Sequence, residues 1–355
     1  MPRAYPAAVL LVLLGACGGL TASSDAGPPD GGLEDGGVDG RAEATVDASR
    51  DAPATPDAGD AAAGDAAAGD AAADAAADAS LDAKADAAVD PVLVKLAVIG
   101  DYGNGSAREL AVANLVMSWA PELIITVGDN DYGIPHRYDD WTGQFFHSFI
   151  APYAGAYGAG AAENAFFPVL GNHDWDGDDG AQFFDFFTLP GNERYYELDR
   201  GPLHLVFLDS DPREPDGTDP ASTQGAWAQA ALAASAAPFQ FVVFHHPAYT
   251  SGGATPGMDW PFKAWGANAV LTGHVHNYER LRSPAGLDYF VVGQGGVSTS
   301  PYGAIHPASK VRYNVKDGAQ LVEIGAAHAR FRYYDVSGTL VDELTIDPAG
   351  LPIAP

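Results

Sequence analysis

The amino-acid sequence predicts an α/β domain with more than one mixed β-sheet over residues 91–355, and three observations support that class. A buried apolar run, a helical segment and a second apolar run follow one another, which predicts a parallel strand–helix–strand unit. Further short apolar runs are spaced through the middle of the chain. The C-terminal part alternates between apolar and polar residues in the manner of antiparallel strands.

The predicted strands are short. The first is the run 92–100, which is apolar enough to be buried on both faces. The alternating stretch 320–346 predicts antiparallel strands, with a turn at 337–338. The remaining predicted strands are 123–127, 166–170, 203–208, 239–244, 269–272 and 289–292.

Three helices are predicted. Ser106 is placed to cap the first, which continues to Trp119, and Glu109 three residues later is expected to complete a capping box. The other two cover residues 179–187 and 223–235. The first helix connects the first two predicted strands and supplies the crossover that a parallel pair needs.

The first residues have the pattern of a secretory signal. Residues 1–16 hold Arg3 and the apolar run 7–14, which is too short to span a bilayer. Residues 14–17 resemble a bacterial lipoprotein signal, in which Cys17, the single cysteine, becomes the lipidated N-terminus. We therefore expect export across the inner membrane and a lipid anchor at the cell envelope, in the outer membrane. An ordinary signal peptide is the alternative.

Residues 17–90 are rich in Ala, Asp, Gly and Pro and hold few large apolar residues. Such a segment cannot bury enough apolar surface to offset its ordering entropy, so we expect a disordered tether. A cation-binding acidic tract is the competing interpretation. The whole chain has 47 acidic and 18 basic residues. That balance argues against nucleic acid as a partner, and any phosphate group must be recognised locally.

Polar clusters follow five of the predicted strands. They contain Asp101; Asp129 and Tyr132; Asn172 and His173; His245 and His246; and His274 and His276. Ligands of open α/β sheets bind at the carboxyl ends of strands. Carboxylate, amide, imidazole and phenolate donors suit iron, manganese or zinc, and no thiolate site is available. Each motif alone is weak, since a Gly-Asp pair after a strand is usually a turn, but five together indicate a metal site.

The five clusters resemble the motif blocks of the purple acid phosphatases, within the calcineurin-like metallophosphoesterases. The resemblance covers residues 92–346. It implies a calcineurin-like sandwich of two mixed β-sheets flanked by helices. It also implies an acid phosphatase that hydrolyses phosphate monoesters with a metal-bound hydroxide at a binuclear metal centre.

The resemblance further implies which residues bind the metals. Ferric iron would be bound by Asp101, Asp129, Tyr132 and His276. A divalent ion (Zn, Fe or Mn) would be bound by Asn172, His245 and His274, with Asp129 bridging the two. Generic members have a histidine where this chain has Gly103, and Tyr132 would replace that ligand. The alternative is a tyrosine that packs under the site with a free hydroxyl.

Two further histidines are catalytic candidates. The resemblance places His173 on the substrate phosphate and the leaving group, and orienting a metal ligand is its alternative role. The loop 248–262 lacks the histidine that relatives often use as a proton donor. His246 is expected to contact substrate in its place, although it could instead point into the structure.

The sequence leaves the substrate open. A phosphodiesterase or nucleotidase on the same fold remains an alternative, because substrate choice depends on loops such as 153–164 and 211–220. A non-catalytic surface lipoprotein that binds a ligand through a metal-loaded domain is a second alternative. Oligomeric state has no sequence signal here.

Overall fold

A computed structural model describes residues 90–253 and 257–354 of the chain. Short β-strands dominate this part. They are β1 Val94–Ile99, β2 Leu123–Thr126, β3 Phe166–Pro168, β4 Tyr196–Arg200, β5 Leu203–Phe207, β6 Phe239–Val243, β7 Ala269–Thr272, β8 Tyr278–Arg282, β9 Asp288–Val292, β10 Ser309–Tyr313, β11 Gly318–Ile324, β12 Ala329–Asp335 and β13 Leu340–Ile346.

The helices are short and connect strands. They are α1 Ala107–Ser118, α2 Gln144–Phe146, α3 Asn172–Trp175, α4 Ala181–Phe186, α5 Thr223–Ala234 and α6 Phe262–Trp265. A π-helical turn at Asp139–Gly143 precedes α2, and a 3₁₀ turn at His147–Phe149 follows it. Among the described residues, no helix has the length and apolar character needed to cross a membrane.

The strands form two mixed sheets, as predicted. The first sheet has the order β13-β12-β11-β1-β2-β3, in which β1, β2 and β3 are parallel. The second has the order β10-β8-β9-β7-β6-β5-β4, in which β5, β6, β7 and β9 are parallel. Helix α1 connects β1 to β2, which confirms the predicted parallel unit. Antiparallel strands β11, β12 and β13 confirm the prediction for residues 320–346.

The main core lies between the two sheets. Phe331 of the first sheet stacks on Phe290 of the second, with ring centroids 4.7 Å apart, and Tyr333 stacks on Tyr278 at 4.0 Å. A second apolar cluster includes Ala228 and Leu232 of α5 together with strand residues of the second sheet. The second sheet is therefore covered on both faces, which explains why its central strands are continuous apolar runs.

Some sequence predictions were wrong in detail. Ser106 does cap α1, since its hydroxyl accepts the N–H of Glu109. The return half of the capping box is absent, because the Glu109 carboxylate accepts the N–H groups of Asn104 and Gly105 instead.

Strands β4, β8 and β10 were not predicted. Their outward residues are polar or charged, and in β10 the pattern gives way at a bulge after Ser309.

Asp90, the first described residue, contacts the turn between β11 and β12. The Asp90 carboxylate accepts the backbone N–H groups of Ala326, Ala327 and His328 at 2.9, 3.0 and 2.9 Å. It thereby caps the turn between β11 and β12. The predicted signal peptide at residues 1–16, the lipidation site at Cys17 and the rest of the predicted tether lie outside the described residues.

Candidate metal centre

Five loops meet at the carboxyl ends of parallel strands from both sheets. Strands β1, β2 and β3 contribute from the first sheet, and β6 and β7 from the second. The loops bring together all of the predicted site residues: Asp101, Asp129, Tyr132, Asn172, His173, His245, His246, His274 and His276. The position is the one that open parallel sheets use for ligands.

Close backbone approach explains the glycines in these loops. A Cβ on Gly128 would lie 2.5 Å from Nδ1 of His245, and one on Gly273 would lie 2.6 Å from Oδ2 of Asp101. Asp101 and Asp129 themselves have φ values of 55° and 53°. Left-handed backbone at non-glycine residues costs free energy and is concentrated at functional sites.

One group of donors gathers around Tyr132. Its hydroxyl lies 3.0 Å from Oδ2 of Asp129, 3.4 Å from Oδ1 of Asp101 and 3.1 Å from Nε2 of His276. Nε2 of His276 is also 3.4 Å from Oδ1 of Asp101. On the far side of the ring, Nδ1 of His276 hydrogen-bonds the Ser298 hydroxyl. That contact directs Nε2 toward the carboxylates.

A second group gathers around the side-chain oxygen of Asn172. Oδ1 of Asn172 lies 2.9 Å from Nδ1 of His274 and 3.2 Å from Nε2 of His245. The two imidazole nitrogens are themselves 3.2 Å apart. Nδ1 of His245 is 2.8 Å from the carbonyl oxygen of Val127, which fixes its proton there and leaves Nε2 for the site.

Asp129 connects the two groups. Its Oδ2 accepts from Tyr132 in the first and lies 3.3 Å from Nε2 of His245 in the second. Burial opposes ionisation of Asp129, but the adjacent His245 outweighs it and lowers the pKa of the carboxyl below its ordinary value. Burial likewise disfavours a charged His245, and Asp129 raises its pKa. A carboxylate shared in this way is suited to bridge two cations.

The donor chemistry fits two cations. In the part of the chain that the structure describes, no lysine or arginine side chain forms a hydrogen bond or an ion pair with these donor atoms. Burial, Asp129 and Asp101 raise the pKa of Tyr132 well above its ordinary value. The protein's own groups therefore keep Tyr132 protonated, and only a strongly charged cation would make it a phenolate ligand. Oxygen and imidazole donors without sulfur suit iron, zinc or manganese.

Comparison with known proteins identifies the family of this chain. The sequence model of the calcineurin-like phosphoesterase family matches residues 94–278, which are more than half of the chain. The chain belongs to the calcineurin-like phosphoesterase family. The matched range begins at β1 and ends just beyond the last donor, His276, so it includes every residue of both donor groups.

Relatives of this phosphoesterase are acid phosphatases. Purple acid phosphatase 7 of Arabidopsis thaliana is 27% identical over an alignment 279 residues long, which covers 69% of this chain and 83% of the relative. Tartrate-resistant acid phosphatase type 5 of Rattus norvegicus is 24% identical over an alignment 295 residues long, which covers 69% of this chain and 88% of that protein. These relatives support the resemblance that the sequence motifs indicated, and they imply a dimetal centre.

A solved structure shows the same fold. A purple acid phosphatase from yellow lupin (Lupinus luteus) seeds superposes with a TM-score of 0.60 at 18% identity. The match covers 72% of this chain and 53% of the lupin chain, so the phosphoesterase spans about half the length of that relative. The predicted calcineurin-like sandwich is thereby confirmed.

His173 lies beside the donors without joining them. Its ring centroid is 4.2 Å from that of Tyr132, and its backbone N–H donates to Oδ1 of Asp129 at 2.9 Å. Nδ1 is 3.5 Å from Oδ2 of Asp176, and 39% of the side chain is exposed. A half-exposed imidazole at this rim is placed to meet a substrate bound over the donors.

His246 lies next to the second donor group. Its ring centroid is 4.4 Å from that of His274 and 4.9 Å from that of His245. A ring nitrogen of His246 is also close enough to those of His245 and His274 for all three to be considered as ligands of one ion. Burial, then His245 and His274, lower the pKa of His246 to about 3, so it is neutral in the absence of metal.

A buried carboxylate joins two of the metal-site loops. Asp174 accepts the backbone N–H of Gly171 at 2.8 Å and the side-chain and backbone N–H groups of Asn130 at 2.9 and 3.1 Å. The Tyr138 hydroxyl also donates to it, at 2.9 Å. Burial and the nearby Asp129 raise the pKa of Asp174 to about 7. Asp174 thus holds the loop after β2 against the loop after β3.

Three residues at the site were not found from the sequence. The Ser298 hydroxyl contacts His276, and the Ser210 hydroxyl contacts Nδ1 of His246 at 2.9 Å. Nη2 of Arg213 donates to the main-chain oxygen of Asn172 at 2.8 Å. Ser298 and Ser210 follow strands β9 and β5, whose carboxyl ends lie at the same edge of the sheet as the metal-site loops. Both would have been found if hydroxyl residues after strand ends had been included among the candidates.

Proposed function

We propose that the chain is an acid phosphatase that hydrolyses phosphate monoesters at a centre of ferric iron and a divalent ion. Asp101, Asp129, Tyr132 and His276 would hold the iron, and Asn172, His245 and His274 the divalent ion. The observation that carries the proposal is the convergence of these donors from five loops into two groups that share Asp129. The acid phosphatase relatives support the same activity.

The two bound cations would polarise the phosphoryl oxygens and activate the attacking water. The residues of the chain supply the rest. Asp129 lies between the two groups and would fix their separation. His173 has Nδ1 facing Asp176, which leaves Nε2 to hydrogen-bond the phosphate and to give a proton to the leaving oxygen. Water attacks phosphorus as the P–O ester bond breaks, and the alcohol leaves with that proton.

His246 is the second proposed substrate contact. Because its Nδ1 is occupied by Ser210, only Nε2 is available, and the proposal assigns that nitrogen to substrate rather than to metal. Metal analysis of His246→Ala tests the assignment. Retention of two metals per chain supports it, and loss of one would make His246 a ligand.

Turnover of p-nitrophenyl phosphate and bis-p-nitrophenyl phosphate by the purified, metal-loaded protein tests the activity. We expect the monoester to be hydrolysed with the higher kcat/KM. A preference for the diester would instead support the phosphodiesterase alternative. Binding of two metals with no turnover of either ester would favour the alternative of a non-catalytic surface lipoprotein.

We also propose that Cys17 is lipidated and anchors the protein at the cell envelope through a flexible tether. The sequence pattern of residues 1–17 supports this. Fractionation of cells that express the full chain tests it. Wild type should sediment with membranes and dissolve in detergent, whereas Cys17→Ala should be released. Membrane association that persists in Cys17→Ala would exclude the lipid anchor.

A further inference from the structure

Ser210 and His246 are brought together by the register of two parallel strands. Strand β5 ends at Phe207 and β6 ends at Val243, and these two residues are paired across the sheet. Ser210 and His246 each lie three residues beyond that pair. The Ser210 hydroxyl contacts His246 twice, at 2.9 Å from its backbone nitrogen and 2.9 Å from Nδ1.

These two contacts bear on which nitrogen of His246 carries the proton. The backbone N–H of His246 is a donor, so the Ser210 oxygen accepts it. The hydroxyl has one proton of its own to donate, and Ser210 is largely buried. Among the described residues, Nδ1 of His246 is the acceptor that its hydroxyl oxygen contacts. With Nδ1 as the acceptor of the serine proton, a neutral His246 carries its own proton on Nε2.

That Nε2–H group remains free for a ligand. Nε2 has no hydrogen-bond partner within residues 90–253 and 257–354. It is not one of the buried side-chain atoms that lack a partner, so solvent reaches it. The ring lies against His274 and His245 of the second donor group. A phosphate oxygen bound at the second donor group would come within reach of the Nε2–H group of His246, whose direction is fixed by Ser210.

We propose that Ser210 is a positioning residue, which holds His246 in the Nε2–H tautomer so that it donates a hydrogen bond to a phosphoryl oxygen of the bound ester. No proton is transferred in this contact. The inference deepens the proposed function and rests on it, because it assigns the phosphate group to the same site. Inorganic phosphate, the reaction product, offers the same oxygens and serves as the probe.

The test compares four full-length, zinc-loaded proteins: wild type, Ser210→Ala, His246→Ala and the double variant. Phosphate affinity is measured by titration calorimetry, which needs no turnover. We expect Ser210→Ala to weaken phosphate binding about tenfold, the size of one hydrogen bond to a charged group. In the His246→Ala background, Ser210→Ala should change the affinity less than twofold, because its effect acts only through the imidazole.

A merely structural role for Ser210 would give other results. Ser210→Thr keeps the hydroxyl and should recover most of the affinity. In ¹⁵N-histidine NMR spectra, wild type should show the Nε2–H form of His246, and Ser210→Ala a mixture of the two tautomers. Ser283→Ala is the matched control, since Ser283 is also buried and its hydroxyl also accepts a backbone N–H, that of Leu287. It should leave phosphate affinity unchanged.

The proposal is overturned if Ser210→Ala weakens binding equally with and without His246, or if wild-type His246 is in the Nδ1–H form. It is also overturned if His246→Ala loses a zinc ion. Failure of the proposed function is a separate result, because a protein without phosphatase activity would still give a phosphate affinity, a zinc content and a tautomer.

Discussion

The backbone N–H of Tyr132 donates a hydrogen bond of 2.8 Å to the carbonyl oxygen of Gly103. The two loops are packed so closely that a Cβ on Gly103 would lie 1.8 Å from the carbonyl oxygen of Asn130. No side chain fits at position 103 in this arrangement, so it has no room for an imidazole ligand. The glycine at 103 and the tyrosine at 132 are therefore two parts of one packing arrangement.

Gly103→Ala should consequently damage the Tyr132 side of the site. The added methyl group must push the loop of Asn130 away, which we expect to cost about 1–3 kcal/mol of folding free energy. It should also lower iron content. Thermal unfolding and metal analysis measure the two effects. Gly253→Ala is the control, because a Cβ there meets nothing within 4 Å. An unchanged Tm and full iron content in Gly103→Ala would contradict the packing argument.

His173→Ala should retain both metals and lose about 10²–10⁴-fold in kcat, the usual size of an acid–base or transition-state contact. The reason is its position beside Asn172 and over Tyr132 without a contact to either donor group through its ring nitrogens. His147→Ala, which removes a partly exposed histidine that bonds the carbonyl oxygen of Ala159, should have normal activity. A missing metal in His173→Ala would show that His173 is a ligand.

The polar motifs at strand ends could be located from the sequence more easily than the edge strands. A buried parallel strand is a continuous apolar run, and its carboxyl end is marked by the polar residues that follow, so Asp101 and His245 could be placed at one edge. Strand β4 has the pattern Tyr-Glu-Leu-Asp-Arg, with its first residue buried and the other four at least partly exposed. Such an edge strand has little apolar signal and was missed.

Contacts between distant loops were the other part that could not be predicted. Asp174 was visible in a motif, but its bonds to Asn130 and Tyr138 depend on how two loops fold over each other. Ser210 becomes informative only through the pairing of β5 with β6. Local patterns identify which residues lie at a strand end, whereas strand order and register decide which of them touch.

Glu109 should make stability depend on pH. Burial raises the pKa of its carboxyl from 4.5 to about 8, although the N–H groups of Asn104 and Gly105 oppose the shift. A carboxyl with a raised pKa keeps a proton in the folded state that the unfolded chain releases. Stability is therefore greatest below pH 4.5 with respect to this group and is lost as the pH rises toward about 8.

Glu109→Gln should remove that loss. The amide oxygen can still accept the two N–H groups, and the other carboxylate oxygen, which has no partner among the described residues, becomes an uncharged amide group. We expect a Tm several degrees above wild type at pH 7.5 and a much smaller difference at pH 4.5. Glu122→Gln, at an exposed position, should show no such pH-dependent gain. Equal effects of Glu109→Gln at both pH values would contradict the prediction.

Tyr132 gives the most direct test of the proposed ferric site. Burial, Asp129 and Asp101 raise its pKa well above the ordinary value, so Tyr132 should stay a protonated phenol in the metal-free protein. That protein should be colourless, because a tyrosine side chain without a metal does not absorb visible light. Ferric iron reverses that bias, because its charge favours the phenolate, and an iron–phenolate pair absorbs visible light by charge transfer. The iron-loaded protein should therefore be pink to purple. Tyr132→Phe should bleach it, keep the fold and weaken iron binding more than divalent-metal binding.

Tyr157→Phe, which removes an exposed hydroxyl bonded to Asp140, should keep the colour. A colourless, fully active wild type with two zinc or manganese ions would refute the ferric assignment while leaving phosphoesterase activity in place, because Asp129 and the histidines would hold two divalent ions without a phenolate.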